Sequence, residues 1–100
     1  MNSPVKKYRT SGKADRDIKE IYKYTVREFG FPQGGRYLAA LYECFEMLGA
    51  QPDAGHATAS ISKDYRRFEY ESHVIFYKKR RADILIIRVL HEKMDPGRHL

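Results

Sequence analysis

The chain has one cysteine and no long apolar run, and each shortage removes a class of protein. A lone thiol, Cys44, can neither close an internal disulfide nor supply a multi-cysteine zinc site, which fits a reducing compartment. Apolar runs are short, as in Ile84 to Ile87, whereas crossing a bilayer takes about 20 apolar residues. No membrane partner is expected. Met1 to Thr10 carries basic residues with no apolar stretch behind them, so it lacks the middle of a secretory signal and the chain is expected in the cytoplasm. His56, His73, His91 and His99 show neither His-x-His nor His-x3-His spacing, so no metal and no cofactor are expected.

What is present is basic charge and a helix-then-strand pattern. Nineteen Lys and Arg against thirteen Asp and Glu leave a net charge of +6, which would attract an acidic partner, nucleic acid or protein, in a salt-dependent way. The charge is uneven: Lys78, Lys79, Arg80 and Arg81 are consecutive, while Pro32 to Pro52 sets Arg36 against Glu43 and Glu46. One hundred residues suit one core, so residues 1–100 are read as a single domain.

Val5 to Thr10 reads as a short first strand, ending at Ser11-Gly12, a helix-start signal. Ala14, Ile18, Ile21, Tyr22, Thr25 and Phe29 then form one helical stripe, with Arg16, Lys19, Glu20, Lys23 and Arg27 opposite. Gly30, Phe31 and Pro32 predict a tight corner. Tyr37, Leu38, Leu41, Cys44, Phe45 and Leu48 make a second stripe, so the two helices should form an antiparallel hairpin. Pro52 to Ser60 has turn chemistry without periodicity and reads as a loop. Tyr65 to Tyr70, Val74 to Tyr77 and Ile84 to Leu90 are aromatic and β-branched, which predicts three antiparallel strands. The expectation is an α+β fold of order β-α-α-β-β-β, the helical hairpin lying on one face of a mostly antiparallel sheet.

HVIFY at His73 to Tyr77, IRVL at Ile87 to Leu90 and HEKMDPGRHL at His91 to Leu100 together resemble the C-terminal signature of ParE toxins. Ala14-Asp15, Asp17-Ile18, Ile21 and Tyr24-Thr25 look like that family's first helix, and Tyr37-Leu38, Leu48 and Pro52 like its second. The resemblance implies the RelE/ParE fold and the toxin half of a type II toxin-antitoxin pair. It implies inhibition of DNA gyrase by protein binding and neutralisation by a ParD-like antitoxin in a hetero-oligomer. RelE-type relatives instead cut messenger RNA in the ribosome, and fold alone does not separate the two activities. A degenerate member that only binds its antitoxin is a third reading.

Ribonuclease chemistry needs a general base, a general acid and cations around a developing phosphorane. Arg66, Arg67, Glu69, Arg88 and His91 have the right chemistry, but strand alternation puts Arg66 opposite Arg67 and Glu69. If three or more of the five share one concave surface, cleavage is favoured; scattered side chains favour inhibition by binding. We expect no catalytic residue. His73 and His91 read as satisfied sheet histidines, and Cys44 as a buried, inert thiol. Without base-stacking aromatic spacing, sequence-specific binding of nucleic acid by this chain alone is not expected. Tyr24, Phe29, Tyr37 and Leu38 are candidates for an antitoxin groove, with core the simpler assignment for Phe29 and Leu38. Lys79, Arg80, Arg81, His91, Met94 and Arg98 are candidates for contact with gyrase or another acidic partner. Asp95-Pro96-Gly97 reads as a turn, leaving Met94 as an apolar anchor for the tail.

Overall fold

A computed structural model describes residues 6–58 and 60–100. It begins with strand β1 (Tyr8–Thr10) and helices α1 (Gly12–Phe29) and α2 (Phe31–Ala50). Strands β2 (His56–Ala57), β3 (Tyr65–Tyr70), β4 (His73–Lys79) and β5 (Ile84–His91) follow, then a short helix α3 (Pro96–His99). The five strands form one sheet in the order β1-β5-β4-β3-β2, with β1 parallel to β5 and the other pairs antiparallel.

Ser11 starts α1 as the sequence predicts. Its backbone is extended, its Oγ accepts the Ala14 N–H at 3.0 Å, and the same hydroxyl donates to the Ile87 carbonyl at 2.7 Å. That carbonyl is available because Ile87 is an extra residue in β5: Phe76 faces Arg88 while Tyr77 faces Ile86. The cap thus ties the start of α1 to the bulge in β5. Gly30 alone separates the helices, at φ 91°, where an L side chain would be strained. Four residues on, Gly34 lets α2 approach α1 closely, since a Cβ there would lie 2.5 Å from Val26 Cγ2.

Ala14, Ile18 and Ile21 of α1 and Leu41, Phe45 and Leu48 of α2 bury against Ile75, Tyr77, Ile84, Ile86 and Val89 of the sheet. This is the main core. Val74, Phe76 and Leu90 point to the other face, where Ile61 and Leu100 cover them. Tyr77 is fully buried, and its hydroxyl accepts the Gly55 N–H at 2.9 Å and donates to the Pro52 carbonyl at 2.8 Å. This hydroxyl fastens the segment after α2 to the sheet. Tyr77→Phe should therefore cost about 1 to 3 kcal/mol in urea unfolding, because it strands the buried Gly55 donor.

Arg88 and Asp17 make the other long-range tie. Arg88 Nε and Nη2 meet the two Asp17 oxygens at 2.8 Å each, and the Val89 N–H donates to Asp17 Oδ2 at 3.0 Å. Since β1 stops at Thr10, opposite Ile86, the Asp17 carboxylate takes the place of a strand partner along the last part of β5. Arg88 Nη1 also donates to the His99 carbonyl at 2.7 Å, holding α3 against the sheet.

Several expectations change. Val5 lies outside the described residues, and the described strand begins at Tyr8. The segment expected to be a loop contains β2, an edge strand of two residues paired with Arg66 and Arg67; Ala59 lies outside the described residues. Asp95-Pro96-Gly97 opens α3, with the Asp95 carboxylate accepting the Gly97 N–H at 3.0 Å and Pro96 in the first helical turn. Leu100, rather than Met94, anchors the tail: Leu100 packs on the second cluster, while Met94 is 46% exposed. The element order therefore gains a strand and a terminal helix relative to β-α-α-β-β-β.

Candidate functional site

A groove of about 910 Å³ opens where the helical corner faces the β3–β4 turn and the end of β5. Tyr24, Thr25 and Phe29 come from α1, Gln33, Arg36 and Tyr37 from α2, and Tyr70 to His73 from the sheet turn. His91 and Met94 close the far side. The turn itself holds Glu71 at φ 53°, a left-handed conformation usually left to glycine, so local strain lies at the groove rim.

The floor is aromatic. Tyr37 lies 5.7 Å from the Tyr70 ring and 5.6 Å from His73, and His73 stands edge-on to His91 at 5.5 Å. The Tyr37 hydroxyl is 2.6 Å from His73 Nδ1. Burial pushes Tyr37 up to about 12, so it keeps its proton. Burial first, and then the closeness of the His91 ring, hold His73 below the ordinary histidine value, so it is neutral at pH 7. With Tyr37 as donor, the proton of a neutral His73 sits on Nε2. His91 Nδ1 accepts the Lys93 N–H at 3.1 Å. The Nδ1 atom of each ring is thus engaged within the protein. Among the described residues no group of three or more His, Cys, Asp or Glu is placed to hold one. Cys44 is half-buried, and burial pushes its thiol up, away from the reactive thiolate.

His73 gives the groove a pH dependence. Its folded pKa lies below the unfolded value of 6.5, so the unfolded chain takes up the proton first as pH falls. The stability contributed by neutral His73 is complete above pH 6.5 and is lost progressively below it. Chemical denaturation followed between about pH 8 and pH 5 should show this loss. The loss should be smaller in His73→Gln, whose amide oxygen can still accept from Tyr37 without titrating.

Tyr24, Phe29 and Tyr37 line the groove; Leu38 does not and packs on the main core. Core was the simpler assignment for Phe29, but it is 67% exposed at the end of α1, beside Phe31 at 72%. The chain reverses at Gly30 before anything can cover it. The six contact candidates are dispersed. His91 and Met94 are in the groove; Arg98 is exposed on α3 near Asp95. Lys79 to Arg81 lie at the far end of β4, where Lys79 meets Asp53 at 2.8 Å and Arg80 forks onto Asp83 at 2.7 and 2.8 Å. The five cleavage candidates do not converge either. Arg66 is held by the Asp53 and Gly55 carbonyls, Arg67 pairs with Glu69, Arg88 is committed to Asp17, and of the five only His91 lines the groove. Sequence reasoning missed Gln33, Arg36 and Ser72 as groove residues. Their polar side chains carry no periodic signal.

The model of the ParE toxin of type II parDE toxin-antitoxin systems matches residues 8–96. The chain belongs to the ParE toxin family. Toxin ParE1 of Caulobacter vibrioides is 34% identical over 96% of this chain and 99% of its own length. Toxin ParE1 of Mycobacterium tuberculosis is 33% identical over 94% and 97%, and Toxin ParE of Escherichia coli 30% over 88% and 86%. A solved chain of a chromosomal ParDE system from P. aeruginosa superposes with a TM-score of 0.72 at 19% identity, covering 84% of this chain and 92% of that one. Its likeness extends the ParE match to the fold. The α+β architecture expected from the sequence, a helical hairpin on a mostly antiparallel sheet, is the one observed. No helix among the described residues is long and apolar enough to cross a membrane.

Proposed function

We propose that the groove receives the C-terminal segment of a ParD-like antitoxin, forming a toxin-antitoxin hetero-oligomer in the cytoplasm. The toxin released from it inhibits DNA gyrase by binding rather than by catalysis. The observation that carries the reading is the ring of exposed large apolar side chains around one concave surface: Tyr24 at 52%, Phe29 at 67% and Met94 at 46%. A patch of this kind, rimmed by Gln33, Arg36 and Glu20, suits an amphipathic segment that buries its apolar face on binding. The net charge of +6 favours an acidic one.

Neutralisation then follows from occupancy. His91 and Met94, two residues proposed to face gyrase, share the groove with Tyr24 and Phe29, so a bound antitoxin covers them. Arg98, four residues beyond Met94, extends that face onto α3. Cleavage of RNA is the weaker reading, because the cationic side chains it would need are committed to separate partners. The test is supercoiling of relaxed plasmid by purified gyrase, with toxin alone and with toxin plus antitoxin. Lost supercoiling that antitoxin restores is the expected result. Full gyrase activity at large toxin excess would overturn the reading.

A further inference from the structure

A second cleft, of about 410 Å³, lies at the opposite end of the sheet, between Lys63, Asp64 and Arg66 on one side and Lys78, Lys79 and Arg80 on the other. It is separated from the groove by the length of β4, roughly 20 Å from His73 to Lys79 at about 3.3 Å per residue. Five of its six lining side chains are cationic, and none is apolar or aromatic.

The cations differ in how far they are committed. Arg66 is fixed, donating to the Gly55 carbonyl at 2.6 Å and the Asp53 carbonyl at 3.2 Å, and its Nε is buried without a partner. Arg80 is held by the Asp83 fork and shapes the turn. Lys79 touches Asp53 at 2.8 Å, but both side chains are more than half exposed, so water screens the contact and another anion can replace it. Among the described residues, neither Lys63 nor Lys78 forms an ion pair.

We propose that this cleft is a binding site for the phosphodiester backbone of nucleic acid, read by charge and without recognition of bases. The lining decides between possible polyanions. A docked peptide needs apolar anchors in a desolvated centre, and the cleft offers none. Single strands are held by stacking their bases on aromatic rings, also absent here. A duplex presents regularly spaced phosphates on its outside and asks only for cations on a polar surface. The proposal does not rest on the antitoxin groove, and it assigns Lys79 and Arg80, candidates from the sequence for gyrase or another acidic partner, to nucleic acid.

The experiment uses the full chain and two fluorescently labelled duplexes of unrelated sequence, with anisotropy read from about 50 mM to about 200 mM salt. Equal binding to both duplexes is expected, with log K falling linearly against log salt at a slope of about −0.9 per phosphate contacted. The double variant Lys63→Glu with Lys78→Glu should lose at least about tenfold in affinity at low salt and flatten the slope by about two. Its circular dichroism melt should match the parent, since both lysines lie outside the core clusters. Tyr24→Ala should bind duplex like the parent. Three results would each overturn the proposal: no duplex binding at low salt, unchanged affinity and slope in the double variant, or displacement of duplex by polyglutamate at equal charge concentration.

Discussion

Arg88→Ala is expected to lower the unfolding free energy by about 3 kcal/mol, the lower end of what breaking a buried ion pair costs. The pair is nearly sealed, with side-chain exposure of 16% for Arg88 and 13% for Asp17, so removing the guanidinium leaves a carboxylate with only the Val89 N–H for company. The lower end applies because both side chains keep a sliver of solvent contact. The variant also frees the His99 carbonyl, so amide exchange should speed up in α3 together with the stability loss. Arg80→Ala is the control. Its fork onto Asp83 has similar distances and Asp83 is as enclosed as Asp17, but Arg80 is 37% exposed at a turn and Arg9 stays 3.8 Å from Asp83, so a distinctly smaller loss is expected there. If urea midpoints for the two variants coincide, the pair at Asp17 does not have the role given to it. Replacing Arg88 and Asp17 together by methionine and leucine should recover much of the loss, because no charge is then stranded.

Two phenylalanines in the same helical hairpin should respond to alanine in opposite ways. Phe45 is fully buried between Tyr8 and Tyr42, its ring 5.5 Å from each, and Phe45→Ala should cost about 3 to 5 kcal/mol of stability by opening a cavity in the main core. That is a large share of the roughly 5 to 15 kcal/mol that holds a domain of this size. Phe29→Ala should change stability by no more than about 0.5 kcal/mol, since two thirds of the ring is already in water. Its effect should be on binding instead. Loss of an aromatic anchor from the groove is expected to weaken antitoxin affinity by about 2 kcal/mol, close to thirtyfold, measured by calorimetry. Equal antitoxin affinity for Phe29→Ala and parent would remove this ring from the proposed interface.

Phe29 also shows where reading the chain by period reaches its limit. It lies four residues after Thr25 on the same stripe, and the stripe correctly places Ala14, Ile18, Ile21 and Thr25 in the interior. Periodicity reports which way a side chain points, but not whether a neighbour extends that far. The corner at Gly30 turns the chain one residue later, so the last position of the stripe faces open space. β2 was illegible for a related reason: both its residues are exposed and two residues cannot show alternation. α3 did carry a signal, Asp95 before Pro96, which is a cap followed by a residue suited to the first turn. Asp-Pro-Gly also spells a turn, and that reading obscured it.

Asp17 carried a clearer signal. It stands three residues after Ala14 and four before Ile21, on the apolar stripe itself, where an unpaired carboxylate would be costly. Such a position calls for a distant cationic partner. What the sequence could not say is that the partner lies 71 residues away on the last strand, because β1 and β5 are neighbours only after the whole chain has folded back. Ser11, by contrast, was legible as a cap because its first contact is local.

The parallel pairing of Tyr8 with Ile84 also bears on how the protein is made. During synthesis the first strand and both helices emerge before the strand that flanks them does, and non-local pairing of this kind forms late. The helical hairpin must wait with its stripe uncovered until Ile84 to Val89 arrive. A nascent chain therefore has neither the finished core nor the groove wall at His91, so core and groove appear together, only once Ile84 to His91 have left the ribosome.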